Sequence, residues 1–368
     1  MEAGTKTSYE SWMAKQGVPI LEGNGFDVKQ IVIGPWLQRG GRGAFVQLEG
    51  MEGVTGMEVV EIPPGKALEP EKHLYEKIIY VVEGLGSTEI MQEGKEKRFF
   101  EWGPGSLFAL PLNCWHRLVN GRSEPALLTA VTNAPMIMDI FHNEDFIFNC
   151  DYRFKDRCDG EEEYFGVGQK RYAVGRWNYW DTNFIADVAT AALDAHEWKG
   201  SGGSYAGFEI AGNSMVGHLV EWPVGRYHKA HYHGAGAVLF ILRSEGYSLL
   251  WPNEYGIHPY TDGHGEKVVK VDWRPGTVFS PPRGWFHQHF NLGSEKARQL
   301  ALRYGSSKHI ATFHVAAQRQ IGGVFISIKE GGTLIEYQDE DPEIRRQYEA
   351  ALKERGIPFA MPLVQYTN

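Results

Sequence analysis

One spacing pattern occurs twice in this chain, and it limits the fold more than any other feature. In the first half Gly65, His73 and Gly84 mark one segment, and Gly105, Pro111, His116 and Asn120 mark the next. In the second half Gly225, His233 and Gly246 are followed by Gly276, Pro282, His287 and Asn291. The later anchors repeat gaps of 6, 5 and 4 residues without change, while the earlier ones keep a gap of 8 and stretch the other from 11 to 13. Self-similarity of this kind marks a duplicated structural unit. A chain of 368 residues holds two such units with connecting segments.

Between the anchors, short apolar runs at 58–62, 77–82, 106–110 and 127–131 are broken by Gly, Pro and Asn. With 44 glycines and 47 aromatic residues (17 Tyr, 11 Trp, 19 Phe), this reads as many short antiparallel strands in a barrel or sandwich. The pattern runs from 43 to 133 and returns from 207 to 312. A helix is expected over 8–16, with Ser8 as N-cap and Gly17 and Pro19 ending it. A second, over 187–198, falls in a Trp-rich connection. A third follows Asp341 as N-cap, with Pro342 in its first turn and Gly356 after its end. The expected plan is an all-β chain with a few short helices: arm 1–40, first barrel 41–145, linker 146–205, second barrel 206–318 and tail 319–368.

Charge and composition remove several classes of function. A formal charge of −9 gives no basic face for nucleic acid or anionic lipid. No apolar run is long enough to span a membrane, and the polar first 15 residues lack a signal-peptide core. Three cysteines, Cys114, Cys150 and Cys158, without a CxxC motif, suit free thiols in a reducing cytoplasm.

The anchors resemble the two cupin motifs, G-x5-H-x-H-x(3,4)-E-x6-G and G-x5-P-x-G-x2-H-x3-N. The second half carries Gly225, His231, His233 and Gly246 from the first motif and Gly276, Pro282, Gly284, His287 and Asn291 from the second. The first half departs from it: Glu71 stands where the first His belongs, Lys77 where the Glu belongs and Asn113 where a Gly belongs. The resemblance implies two tandem cupin (double-stranded β-helix, jelly-roll) barrels, the second with a metal inside. Symmetric homo-oligomers are the default expectation for such a chain.

His231 and His233 are two residues apart, which puts both rings on one face of a strand. His287 from a distant segment completes three imidazoles that leave positions open on an ion. The family carboxylate should fall at Gly236 or Ala237, neither of which binds metal. The expectation is one divalent ion per chain on His231, His233 and His287. Fe(II) is favoured; Mn, Ni, Zn and Cu are compatible. His228 and His289 crowd the motif as neighbours of the ligands. Arg243, sharing strand parity with Ala237, and Arg303, on a late strand, are candidates to clamp a substrate carboxylate. Tyr232 is a further candidate catalytic residue, in an aromatic surrounding of Trp222, Tyr227, Trp251, Trp285, Phe286 and Phe290 that suits an apolar substrate. His258 and His264 lie in a polar insertion, 253–266, read as a solvated hairpin or a lid. In the first barrel Glu71, His73, Glu76 and His116 make a second metal site conceivable, but an inward Lys77 would oppose a cation.

The three-His set is similar to that of iron dioxygenases such as the gentisate and cysteine enzymes. That resemblance implies an Fe(II) dioxygenase acting with O2 on a small chelating anion, an aromatic one included. Two alternatives stay open: a non-oxidative metal enzyme (lyase, decarboxylase, isomerase or aminohydrolase), and a bicupin that binds a metal or ligand without turnover.

Overall fold

The computed structural model describes residues 6–366 apart from 93, 95, 160, 162, 167–169, 175–176, 197–198 and 310–325. The expected end of the second barrel, at 318, lies outside the described residues.

Each half contributes eight strands in the same order, folded into a larger and a smaller antiparallel sheet. In the first half the larger sheet runs Gly41–Leu48, Gly56–Ile62, Ala126–Thr132, Lys77–Glu83 and Leu107–Ala109. In the second it runs Gly203–Ile210, Met215–Trp222, Ala297–Tyr304, Val238–Arg243 and Thr277–Phe279. The smaller sheets have equivalent strands in equivalent positions: Trp115–Val119, Gly86–Met91 and Arg98–Trp102 against Trp285–Asn291, Gly246–Pro252 and Val269–Trp273. The sequence duplication is therefore a duplicated jelly-roll barrel.

The arm and the linker are parts of the barrels. Ile20–Gly23 lies parallel to Gly41–Leu48, and Trp177–Thr182 lies parallel to Gly203–Ile210. The next short strand of each then crosses over. Gly25–Asp27 pairs with Thr277–Phe279 of the second barrel, and Phe184–Ile185 pairs with Leu107–Ala109 of the first. Each barrel thus has a larger-sheet edge covered by a strand from outside its own eight, which protects that edge from other chains.

Two helices form where expected, with one cap displaced. The first is Ser8–Lys15, but its N-cap is Thr7, whose side chain accepts from the Glu10 amide while Glu10 reaches back to the Thr7 amide. The last is Pro342–Glu354, capped by Asp341 and followed by Gly356 at φ +68. Over 187–198 the expected helix is absent among the described residues; a turn and the strand Asp194–His196 stand there instead. Asp187 bonds its own turn, accepting from the Ala189 amide and the Thr190 hydroxyl, a local alternative to helix.

The larger sheets pack back to back. Val46, Met57, Val59, Ile78 and Val131 of the first barrel share one apolar cluster with Phe208, Leu219, Phe240, Leu300 and Leu302 of the second. Strand alternation then fixes what faces inward. On Met215–Trp222, Met215 and Leu219 join the interface, whereas Val220 and Trp222 fill the second barrel with Tyr205, Leu239, Ile241, Trp273 and Phe279. His218 and, on Ala297–Tyr304, Arg303 have the inward parity. No described helix is long and apolar enough to cross a membrane. All three cysteines are free.

Candidate metal centre

Backbone pairing delivers the three histidines to one spot. His231 forms an isolated antiparallel bridge with His287, each amide donating to the other's carbonyl at 3.2 and 2.9 Å. Gly284 donates to the His233 carbonyl at 3.0 Å and pins that end of the stretch. The ring centroids of His231 and His233 lie 4.4 and 4.6 Å from that of His287. One ligand atom from each of the three falls within 4.8 Å of the others.

Each ring also has its far nitrogen occupied. Nδ1 of His231 meets the Lys229 carbonyl at 3.3 Å, that of His233 the Gly234 carbonyl at 2.8 Å, and that of His287 the Trp285 carbonyl at 3.2 Å. A carbonyl only accepts, so Nδ1 carries the proton and Nε2 keeps its lone pair for the centre. Burial keeps the rings neutral: His231 and His287 fall well below the usual imidazole value, and His233 falls to about 4. Three neutral imidazoles with fixed tautomers suit a divalent ion.

Counted from the second His as Lys77 is from His73, the acid position is Ala237, and the residue before it touches the first barrel. Gly236 sits at φ +87, and a Cβ there would lie 2.8 Å from Val54 Cγ1 of the first barrel. Its amide donates to the Gly50 carbonyl at 2.7 Å, and its carbonyl accepts from the Thr55 hydroxyl at 3.2 Å. The first barrel is docked against the residue just before that position.

The equivalent group in the first barrel, Glu71, His73 and His116, also brings its ligand atoms within 4.8 Å. There the carboxylate is already engaged. Glu71 takes Lys77 at 2.9 Å, Arg39 at 2.7 Å and His116 Nε2 at 3.2 Å. Lys77 is 1% exposed and also holds Glu58 at 2.8 Å. Burial alone would raise the Glu71 carboxyl, but Arg39 and Lys77 hold it well below the usual range.

Residues 58–132 match the family model for the cupin domain. The second barrel repeats the strand order and sheet pairing of the first. The cupin match thus falls on the first of two barrels built to one plan. Among solved structures, it is similar in fold to an oxalate decarboxylase at 13% identity and a TM-score of 0.48, over 79% of each chain. A tryptophan-to-tyrosine variant of the Bacillus subtilis oxalate decarboxylase gives 13% identity and 0.47, over 77% of this chain and 78% of that one. A comparison with curated proteins finds no match.

The fold does not bring every sequence candidate to the histidines. Arg303 faces into the second barrel and acts electrostatically on His233 and His218. Arg243 is held elsewhere, by Glu221 at 3.4 Å and the Ala189 carbonyl at 2.6 Å. A register shift between Ile241 and Arg243 breaks the parity that would have turned it inward. Tyr232 lies between His231 and His233, so it points away from them. It meets Phe286 edge-on at 5.0 Å, in a cluster with Tyr227, Trp251, Phe290 and the tail helix residues Ile344, Tyr348 and Leu352. That cluster is core, which removes most of the expected aromatic pocket; Trp222 does face inward. The 253–266 insertion is tied down, since Asp341 accepts from the Tyr260 and Thr261 amides and the Thr261 hydroxyl at 2.8 Å each.

Further polar residues outside the motifs are buried near the three histidines. His289 Nδ1 and the Ser248 hydroxyl are 2.7 Å apart, and Trp273 donates to that hydroxyl at 3.1 Å. His228 lies against Trp222 with ring centroids 4.3 Å apart and the planes tilted by 45°, and neither of its ring nitrogens is hydrogen-bonded. His218 packs on Tyr205 at 5.2 Å. Lys199, from the linker, is 7% exposed, and burial with Arg303 nearby lowers its pKa to about 7. Sequence reading missed Lys199 and His218 because neither lies in a motif; alternation along Met215–Trp222 could have signalled His218.

Acid should unfold the metal-free protein early. Burial lowers His73, His218, His228, His231, His233, His287 and His289, the last to about 3. The unfolded chain binds protons at these sites near pH 6.5 and the folded chain does not, so stability present above pH 6.5 is lost as pH falls. Each histidine contributes about 1.4 kcal/mol per pH unit over its window. Glu76 and Glu340, raised by burial, oppose this with two groups against seven. Urea denaturation at pH 7.5, 6.0 and 5.0 should show a steady fall of several kcal/mol; a flat profile would contradict neutral buried histidines.

Proposed function

We propose that the second barrel holds one divalent ion on Nε2 of His231, His233 and His287, and that the protein is a metal-dependent enzyme acting non-oxidatively on a small chelating anion. The observation that carries this is the set of three neutral imidazoles, two buried and His233 half-buried, each with Nδ1 committed to a carbonyl. Bound there, the ion would serve as a Lewis acid that draws charge from a carboxylate or enolate oxygen. Neutral ligands leave its charge undiminished, and Arg303 adds to the positive field. Such a field stabilises charge developing on a bound anion, as decarboxylation and isomerisation require. Trp222, Trp273 and Phe279 wall the barrel and exclude water. In the first barrel, Lys77 and Arg39 supply the positive charge that an ion would bring, and its role is structural.

The all-imidazole ligand set supports a second reading, an Fe(II) dioxygenase. Oxygen dependence separates the two. The Mn(II)-loaded and Fe(II)-loaded protein should be incubated with a panel of small carboxylates, 2-oxo acids, catechols and hydroxybenzoates, with and without air. Turnover that persists anaerobically with Mn(II) is expected. Turnover confined to Fe(II) with stoichiometric O2 uptake would replace this reading with the dioxygenase.

A further inference from the structure

The tail of the chain runs back along the stretch that supplies two of the ligands. The Ile335 amide donates to the Ala230 carbonyl at 2.8 Å and the Tyr232 amide to the Thr333 carbonyl at 3.3 Å, which makes Leu334 an antiparallel partner of His231. His231 is therefore the middle residue of three paired segments, with His287 on its other side. Directly opposite residues share a face, so the buried Leu334 stands on the ligand side, while Ile335 joins the outer cluster with Tyr227 and Ile344. The contact continues along the tail. Glu336 pairs with Lys229 at 2.5 Å, and the Tyr337 hydroxyl donates to the Tyr227 carbonyl at 2.6 Å. Glu340, 2% exposed, ends the run: it accepts from the Tyr227 hydroxyl and, at 3.0 Å, from the Gln288 side-chain amide.

One buried carboxylate thus ties both ligand-bearing segments, since Tyr227 opens the stretch that ends in His233 and Gln288 follows His287 in the strand Trp285–Asn291. We infer that Glu340 is a positioning residue for the metal centre, and that docking of residues 333–340 and binding of the ion strengthen each other. The inference rests on the proposed metal reading. Pairing from both sides fixes the backbone of His231 relative to His287, so the ion meets ligands already held in place. The coupling is reciprocal: whatever factor the docked tail adds to the affinity for the ion, the bound ion adds to the docking of the tail. Glu340 acts through its two hydrogen bonds rather than its charge. A glutamine can supply both, its carbonyl accepting from Tyr227 and its amide donating to Gln288 Oε1 once the Gln288 amide turns over; that oxygen is buried without a hydrogen-bond partner among the described residues.

The test uses the full-length chain with Zn(II) as probe. Affinity is read by competition with a chromophoric chelator, and amide hydrogen exchange is followed with and without the ion. Glu340→Leu should bind Zn(II) about ten-fold more weakly with unchanged far-ultraviolet circular dichroism, and Glu340→Gln should keep most of the native affinity. In the native chain Zn(II) should slow exchange at the Ile335 and Tyr232 amides by a comparable factor. Should Glu340→Leu fail to fold, Tyr227→Phe, which removes only the hydroxyl, should still weaken Zn(II) binding. Native affinity in folded Glu340→Leu, or in Tyr227→Phe where the leucine variant does not fold, overturns the role of Glu340. A loss as large in Glu340→Gln as in Glu340→Leu assigns the effect to charge and overturns positioning. Exchange at the two amides that Zn(II) leaves unchanged overturns the coupling. A native chain that takes up no Zn(II) overturns the metal reading, and this inference with it.

Discussion

Replacing His231 and His287 together by alanine should abolish tight divalent-metal binding while leaving the chain folded. Both rings are buried and neutral, and their Nδ1 bonds go to carbonyls of loop or strand-end residues. Neither holds the sheets together; that is done by ladders such as Gly246–Pro252 against Trp285–Asn291 and by the clusters on either side. With only His233 left, one ligand of three remains. Losing an outer partner of a metal ligand costs about 10- to 100-fold in affinity, and losing two ligands must cost more. Elemental analysis after loading and desalting should find the native chain charged and the variant empty, with matching far-ultraviolet circular dichroism. Unchanged metal content in the double variant would remove the site assignment altogether.

Lys77→Met should produce the largest loss of stability from a single change in the first barrel. Lys77 and Arg39 face Glu58 and Glu71 in a balanced buried network of two cations and two anions. Methionine fills similar volume but leaves one carboxylate in excess, and breaking a buried pair from one side costs about 3–5 kcal/mol. The urea midpoint should fall accordingly. Adding Glu71→Gln should recover much of the loss, because Arg39 and Glu58 then balance; the coupling in that cycle measures the pair itself. A Lys77→Met protein within about 0.5 kcal/mol of native would show that the network is solvated in solution.

The duplicated barrels and the three histidines were legible because each depends on local rules. Glycines and prolines fix turns, the two-residue period fixes faces, and capping fixes the last helix. Other features depend on contacts between distant residues. The crossed strands Gly25–Asp27 and Phe184–Ile185 are three and two residues long, too short to show a period. The inward parity assigned to Arg243 failed at a bulge, which sequence does not announce. Tyr232 follows the alternation strictly: the rule that turns His231 and His233 inward turns it outward, and its rich aromatic surrounding concealed this. Lys199 enters from a linker without motif or period. The absence of an acid after His233 was plain in the sequence, but the contact of Gly236 with Val54 across the barrel interface was not.

The central claim is one ion on three imidazoles in the second barrel and none in the first. Anomalous diffraction from crystals of the Co(II)-loaded protein tests it directly. The account predicts a single peak per chain within bonding distance of Nε2 of His231, His233 and His287, and no peak between Glu71, His73 and His116. A peak in the first barrel, or density bonded to Nδ1 or to a carboxylate instead, would contradict it.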